Sequence, residues 1–270
     1  MTTTPYTSPI PVRRAHLGDA IASEWTKIRS LRSTVWTLGA MIAVVAGLGL
    51  LLALAIGPIA EEELGDDASV LELGLVGMLL GTVCVITLGV LTITSEFGTG
   101  MIRTTLTACP SRGRVLIAKS IVFFALVFVI TTLVSAFTAA AQSVILGTIG
   151  GATADQWMRA TVGVGLFMAS LGLLSLAVGT LLRHSAGAIT TMIGVVLLPF
   201  VLAIGLYSES LNGLRDKLVE YSIPSLLAAI YTSGEFEGAA PAGWTPLWIM
   251  LGVTAAALGG AYISLDRRDV

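Results

Sequence analysis

LGLVGMLLGTVCVITLGVLTITSEFGTGMIRTTL, residues 73–106, decides how this chain folds. From Leu73 to Thr94 it contains no charged side chain, and a helix of about 20 residues at 1.5 Å per residue crosses the hydrocarbon of a bilayer. At Ser95-Glu96 the character changes, and glycine, threonine and arginine follow before the chain turns apolar again near Ser120. A segment that leaves oil, spends a short stretch in water and returns is an interhelical loop of a membrane protein.

Five further runs repeat the pattern. The spans are placed at residues 35–57, 73–94, 120–147, 160–182, 186–206 and 247–265. The composition agrees: 55% of the residues are hydrophobic and 12% charged, about half the charge share of a soluble domain. Backbone amides in lipid must bond within their own segment, and the alternating polarity of membrane strands is absent, so the fold class is an all-α membrane protein with six transmembrane helices.

Positively charged loops are retained on the cytoplasmic side. With the N-terminus inside, twelve of the fifteen basic residues fall on inner segments, leaving Arg159, Arg215 and Lys217 outside. Of the seventeen acidic residues only Asp19, Glu24, Glu96, Asp266 and Asp269 fall inside. The expected topology therefore has both termini in the cytoplasm of a cell-membrane protein and places residues 95–114 in the first inner loop.

Ahead of the first span, residues 1–16 read as a disordered tail. Over residues 17–33, Leu17, Ile21, Trp25, Ile28 and Leu31 gather on one side of a helix at 100° per residue. This predicts an amphipathic helix in the inner headgroup layer, with Trp25, Lys27, Arg29 and Arg32 as its lipid anchors. The Ala53-Leu54-Ala55 triplet mimics a signal-peptidase site, but the apolar run and its charged leader are both too long for a signal peptide. Residues 207–246 are too long for a turn. Within them Leu211, Leu214, Leu218 and Tyr221 form a weak stripe, and the apolar residues 223–231 are too short to span, which predicts a re-entrant or interfacial cap on the outer face.

Enzymatic constellations are missing from the sequence. There is no GxxxxGK[ST] phosphate loop, His16 and His184 lack partners for a metal site or dyad, and Cys84 and Cys109 read as free thiols. No ionisable residue lies well inside a span, which counts against a proton- or ion-driven carrier. Hydroxyl and amide groups do occur there, among them Thr82, Thr87, Thr131, Ser135, Gln142, Ser170 and Ser175; most such groups bond the carbonyl one turn back or join helices. Gly77 with Gly81, and Gly252, Ala256 and Gly260, are small-residue rows suited to close helix contact, within the chain or between subunits.

The loop SEFGTGMIRTTLTACPSRGRVLIAK, residues 95–119, resembles the first cytoplasmic loop of ABC-2 type transporter permeases at Glu96, Gly100, Pro110, Arg112, Arg114 and Lys119, departing from many members at Gly100-Met101, where they have Gly-Thr. SEWTKIRSLRSTVWTL, residues 23–38, resembles the segment leading into the first span of actinobacterial members. The resemblance implies a type V exporter-like permease whose short coupling helix docks into a groove on a separate ABC ATPase subunit. ATP and Mg would bind that partner, with no cofactor and no catalytic residue in this chain. On this reading Glu96, Phe97, Gly98, Gly100, Met101, Ile102 and Arg103 form the coupling site. Phe97, Met101 and Ile102 would fill the groove. Glu96 and Arg103, seven apart on one helical face, would meet its rim, and Gly98 and Gly100 would permit the turn. Because six spans are fewer than the two halves such transporters need, the resemblance further implies two permease copies, as a homodimer or with a related chain, and two ATPase copies, with the pathway near the second and fifth spans. The substrate expected is an amphipathic or lipid-like small molecule or peptide; nucleic acid is not an expected partner. An ATP-independent carrier or channel, and a membrane anchor for another complex, share the hydropathy plan.

Overall fold

A computed structural model describes residues 16–57, 70–109, 111–147, 152–206, 211–232, 241 and 243–267. The tail ahead of His16, the acidic stretch with Glu61 and Asp66, Pro110, and part of the 207–246 connection lie outside the described residues.

Among the described residues all regular structure is helical. In chain order the elements are α1 (Leu17–Ser30), α2 (Arg32–Ile56), a 3-10 turn (Val70–Leu73), α3 (Gly74–Gly98), α4 (Met101–Ala108), α5 (Arg112–Leu146), α6 (Ala154–Leu182), α7 (Ser185–Gly205), α8 (Asn212–Glu220), α9 (Ile223–Tyr231) and α10 (Thr245–Arg267). Six of these, α2, α3, α5, α6, α7 and α10, are long and apolar enough to cross a membrane. A helix matches each expected span, and several run past its bounds, two of them by many residues. α5 begins at Arg112, ahead of the apolar run at Ser120, and α6 begins at Ala154 rather than at residue 160. Hydropathy marks where oil starts; a helix continues into the polar layer as long as its backbone is bonded.

α6 is the centre of the bundle. In its apolar window 78% of the residues are buried, against 11% in α7, which lies at the periphery. α3, α5 and α10 pack around α6, and α2 lies over α3 and α5. The cause is a column of glycines on α6 at seven-residue spacing. A methyl group at Gly165 would strike Thr132, at Gly172 it would meet Phe123 at 2.6 Å, and at Gly179 it would meet Ile93 at 2.9 Å. In the absence of a hydrophobic drive between helices in lipid, such close approach supplies the packing energy. Gly77 does the same between α3 and α2, where an added methyl would lie 2.7 Å from the Val45 carbonyl oxygen. The second row, Gly252 and Gly260 on α10, faces open space.

The hydroxyls in the spans mostly do bond one turn back: Thr87 donates to the Val83 carbonyl, Thr131 to Val127, Ser170 to Leu166 and Ser175 to Leu171. Ser135 is an exception. Its hydroxyl crosses to α6 and donates to the Ala160 carbonyl, within the π-helical turn Arg159–Gly163, where the wider coil disturbs the regular ladder.

Opposite the end that carries α1 and α4, α9 packs onto the bundle with Ile223, Leu226, Leu227, Ile230 and Tyr231 buried. Ser222 caps it, accepting from the Ser225 amide at 3.3 Å, and Pro224 fits its first turn. α8 is different: Leu211, Leu214 and Tyr221 of its stripe are exposed. Arg159 fastens the cap, bonding Asp155 at 2.8 Å and the Thr232 carbonyl at 3.1 Å, while the Trp244 indole donates to Asp155 at 3.2 Å.

Candidate functional site

The loop after the second span, residues 95–109, lies at the basic end of the bundle. α3 ends because Gly98, Thr99 and Gly100 turn the chain: the Thr99 amide bonds the Ser95 carbonyl at 3.0 Å, the Gly100 amide bonds Phe97 at 3.3 Å, and Gly100 takes φ +71°. Only glycine adopts that conformation without strain. The Arg103 amide then bonds the Gly100 carbonyl at 3.1 Å and α4 begins. α4 is eight residues long and joins the ends of α3 and α5.

α4 has two unlike sides. Ile102 is 3% exposed, so it anchors the helix to the bundle, whereas Met101, Arg103, Thr104 and Thr107 are exposed. Phe97 is half-buried with the Arg183 guanidinium 5.1 Å from its ring centre, a cation–π contact that joins the ends of α3 and α6. Gly98 and Gly100 are exposed in the turn. The coupling residues proposed from the sequence therefore divide: Met101 and Arg103 are presented outward, while Glu96, Phe97 and Ile102 face the protein. The turn at Gly100 also separates Glu96 from Arg103, which lie on different helices rather than on one face.

Above α4 is a buried ionic quartet. Lys119 of α5 lies 2.6 Å from Glu24 of α1 and 2.8 Å from Glu96 of α3. Lys27 of α1 lies 2.7 Å from Glu24 and 3.1 Å from Glu96. Each ammonium has three donors and each is fully used. Lys119 adds the Thr92 carbonyl at 3.4 Å, and Lys27 adds the Thr105 hydroxyl of α4 at 3.2 Å. Lys119 is 1% exposed, Glu24 2% and Glu96 5%. Two carboxylates and two ammoniums compensate one another, the condition under which charges are retained away from water. Burial opposes the charge on Glu24, yet Lys119 and Lys27 outweigh it and hold its carboxyl below the ordinary value of 4.5. Burial likewise opposes the charge on Lys27, and its bonds to Glu24 and Glu96 raise it above 10.5. The quartet locks α1, α3 and α5 together and reaches α4 through Thr105.

Lys27, expected to face lipid, thus turns inward. Trp25, Arg29 and Arg32 are exposed. On α1 the side packed against the bundle carries Glu24 and Ile28, while Leu17, Trp25 and Leu31 are exposed. A cleft of about 320 Å³ lies between α1 and α4, lined by Asp19, Ser23, Glu24, Lys27, Met101 and Thr105 among others. His184 serves as a cap, its Nδ1 accepting from the Gly187 amide at 3.0 Å at the start of α7. The quartet as a unit was missed in the sequence. Its signals were the Glu24–Lys27 spacing of three on a helix and a lysine abutting oil in a charge-poor chain.

Six apolar helices long enough to span a bilayer, with α4 at the polar end of two of them, define a multi-pass α-helical membrane protein. The chain belongs to the ABC-2 transporter family: the model for the ABC-2 family transporter protein matches residues 20–208. That match takes in the quartet and α1 through α7, which is the membrane component of an ABC transporter. No curated protein matches the chain at a significant level.

Proposed function

We propose that this chain is the permease subunit of an ATP-driven exporter, with α4 as the element that docks on a separate ABC ATPase. Two ATPase copies bind and hydrolyse ATP with Mg. Two permease copies, identical or related, surround the pathway. The basic end faces the cytoplasm, because Arg103, Arg112, Arg114, Arg183 and Arg267 all lie at helix ends there. The exposed side of α1 around Trp25 and Arg29, with Arg32 at the start of α2, rests in the inner headgroup layer. The substrate is amphipathic or lipid-like, a small molecule or peptide, consistent with spans whose central polar groups are hydroxyls and amides, the charges Glu96, Lys119 and Arg159 lying toward helix ends.

One observation carries this reading: α4 presents Met101 and Arg103 outward while Ile102 and the Lys27–Thr105 bond fix its other side to the quartet. A flexible methionine fills an irregular groove and an arginine pairs with carboxylates at its rim. Force applied to α4 then reaches α1, α3 and α5 directly. The test is purification of the tagged full chain in mild detergent with identification of its companions. An accompanying protein that carries a phosphate loop and hydrolyses ATP is expected; transport by the chain alone, with no such companion, contradicts the proposal.

A further inference from the structure

A second polar cluster is buried in the spans, away from the quartet. Ser135, Thr138 and Gln142 follow one side of α5, and Tyr231 ends α9; all four are at most 5% exposed. The Gln142 amide group donates to the Gly49 carbonyl of α2 at 3.0 Å, and Gly49 has no room for a side chain because Thr138 and Gln142 fill the space. Ser135 spends its one proton on the Ala160 carbonyl, and Tyr231 borders the same cavity as Ser135. After these bonds are assigned, the Gln142 Oε1 acceptor and the Thr138 hydroxyl have no partner among the described residues. Unpartnered polar atoms in a dry core are costly, and two side by side are unusual.

These residues line one cavity. It measures about 10 Å³ and is bounded by Val45, Leu71, Gly74 and Met78 on its apolar side and by Ser135, Thr138, Gln142 and Tyr231 on its polar side. That is the room one water molecule needs, and a buried water needs two to four polar partners. We propose that this cavity is a binding site for a single structural water, which donates to Gln142 Oε1, accepts from the Thr138 hydroxyl and gives its second proton to the Tyr231 oxygen. The water joins α5 to the last residue of α9. The cap is therefore fastened to the bundle at two points, by Arg159 and by a hydrated seam that the apolar contacts of α9 do not supply.

The test is X-ray hydroxyl-radical footprinting of the full chain in detergent or nanodiscs, because radicals formed from an ordered water oxidise the side chains that touch it. Met78 is 1% exposed and borders the cavity; Met168 and Met192 are equally buried elsewhere and give the background for the same chemistry. Oxidation of Met78 and Tyr231 above the Met168 and Met192 level is expected. It falls to that level in Thr138→Val, which removes one partner of the water and keeps the Gln142–Gly49 bond, and also in Gln142→Met. Oxidation of Met78 no greater than that of Met168 and Met192 in the unaltered chain overturns the proposal, as does oxidation that Thr138→Val leaves unchanged.

Discussion

The Lys119 ammonium lies 2.6 Å from the Glu24 carboxylate, across 95 positions of sequence. Through that contact the helix that precedes the first span is bound to the start of α5, and Glu96 and Lys27 extend the bond to α3 and, through Thr105, to α4. The base of the bundle is thus tied together by one ionic network. Its charge is balanced, so removing a single member leaves an opposite charge buried without compensation.

Lys119→Met keeps the volume and removes the central cation. Breaking a buried pair in this way costs about 3–5 kcal/mol. A clear drop in the fluorescence-detected melting temperature of the detergent-purified protein is expected. Lys119→Met with Glu96→Gln removes the stranded charge and recovers part of the loss. Equal melting of the single variant and the unaltered chain contradicts the quartet's structural role.

The quartet also sets a pH window. Glu24 titrates lower in the folded protein than its ordinary 4.5, so its contribution is complete above that value and is lost as pH falls through the folded pKa. Lys27 titrates above 10.5, so its contribution is complete below that value and is lost as pH rises through the folded pKa. Melting temperature against pH should show a plateau between the two limbs. Glu24→Gln should lower the plateau and flatten the acid limb, which the same titration of the variant checks.

Gly77 and Gly252 offer a paired test of packing. A methyl at Gly77 presses on the Val45 backbone, so Gly77→Ala should cost about 1–3 kcal/mol by overpacking. Gly252 has nothing within 4 Å of the added methyl, so Gly252→Ala should leave melting unchanged or slightly raised. Thermal melts of both variants decide the point.

Hydropathy made the six spans legible because lipid forces each to be a bonded helix; the polar residues near Met101 marked a loop there, and its short helix was implied only by the resemblance of residues 95–119. Long-range partners were not legible. Glu24 and Lys119 carry no local sign that they meet, since the spacing in α1 marks only its apolar residues, while the structure packs Glu24 beside Ile28 against the bundle. Glu96 and Arg103 are seven apart, which predicts a shared face only if the helix is continuous; Gly100 at φ +71° breaks it. The polar cluster around Gln142 was visible as residues, but the cavity they share with Tyr231 depends on where α9 docks, which no spacing encodes.

The most direct measurement of the coupling claim is ATP hydrolysis by the purified complex carrying Met101→Asp with Arg103→Glu on the outward side of α4. Both residues are exposed and outside the quartet, so the variant should melt like the unaltered chain. The account predicts that the ATPase is lost from the complex, or that its hydrolysis no longer depends on the permease. A variant that retains its ATPase and its full hydrolysis rate contradicts it.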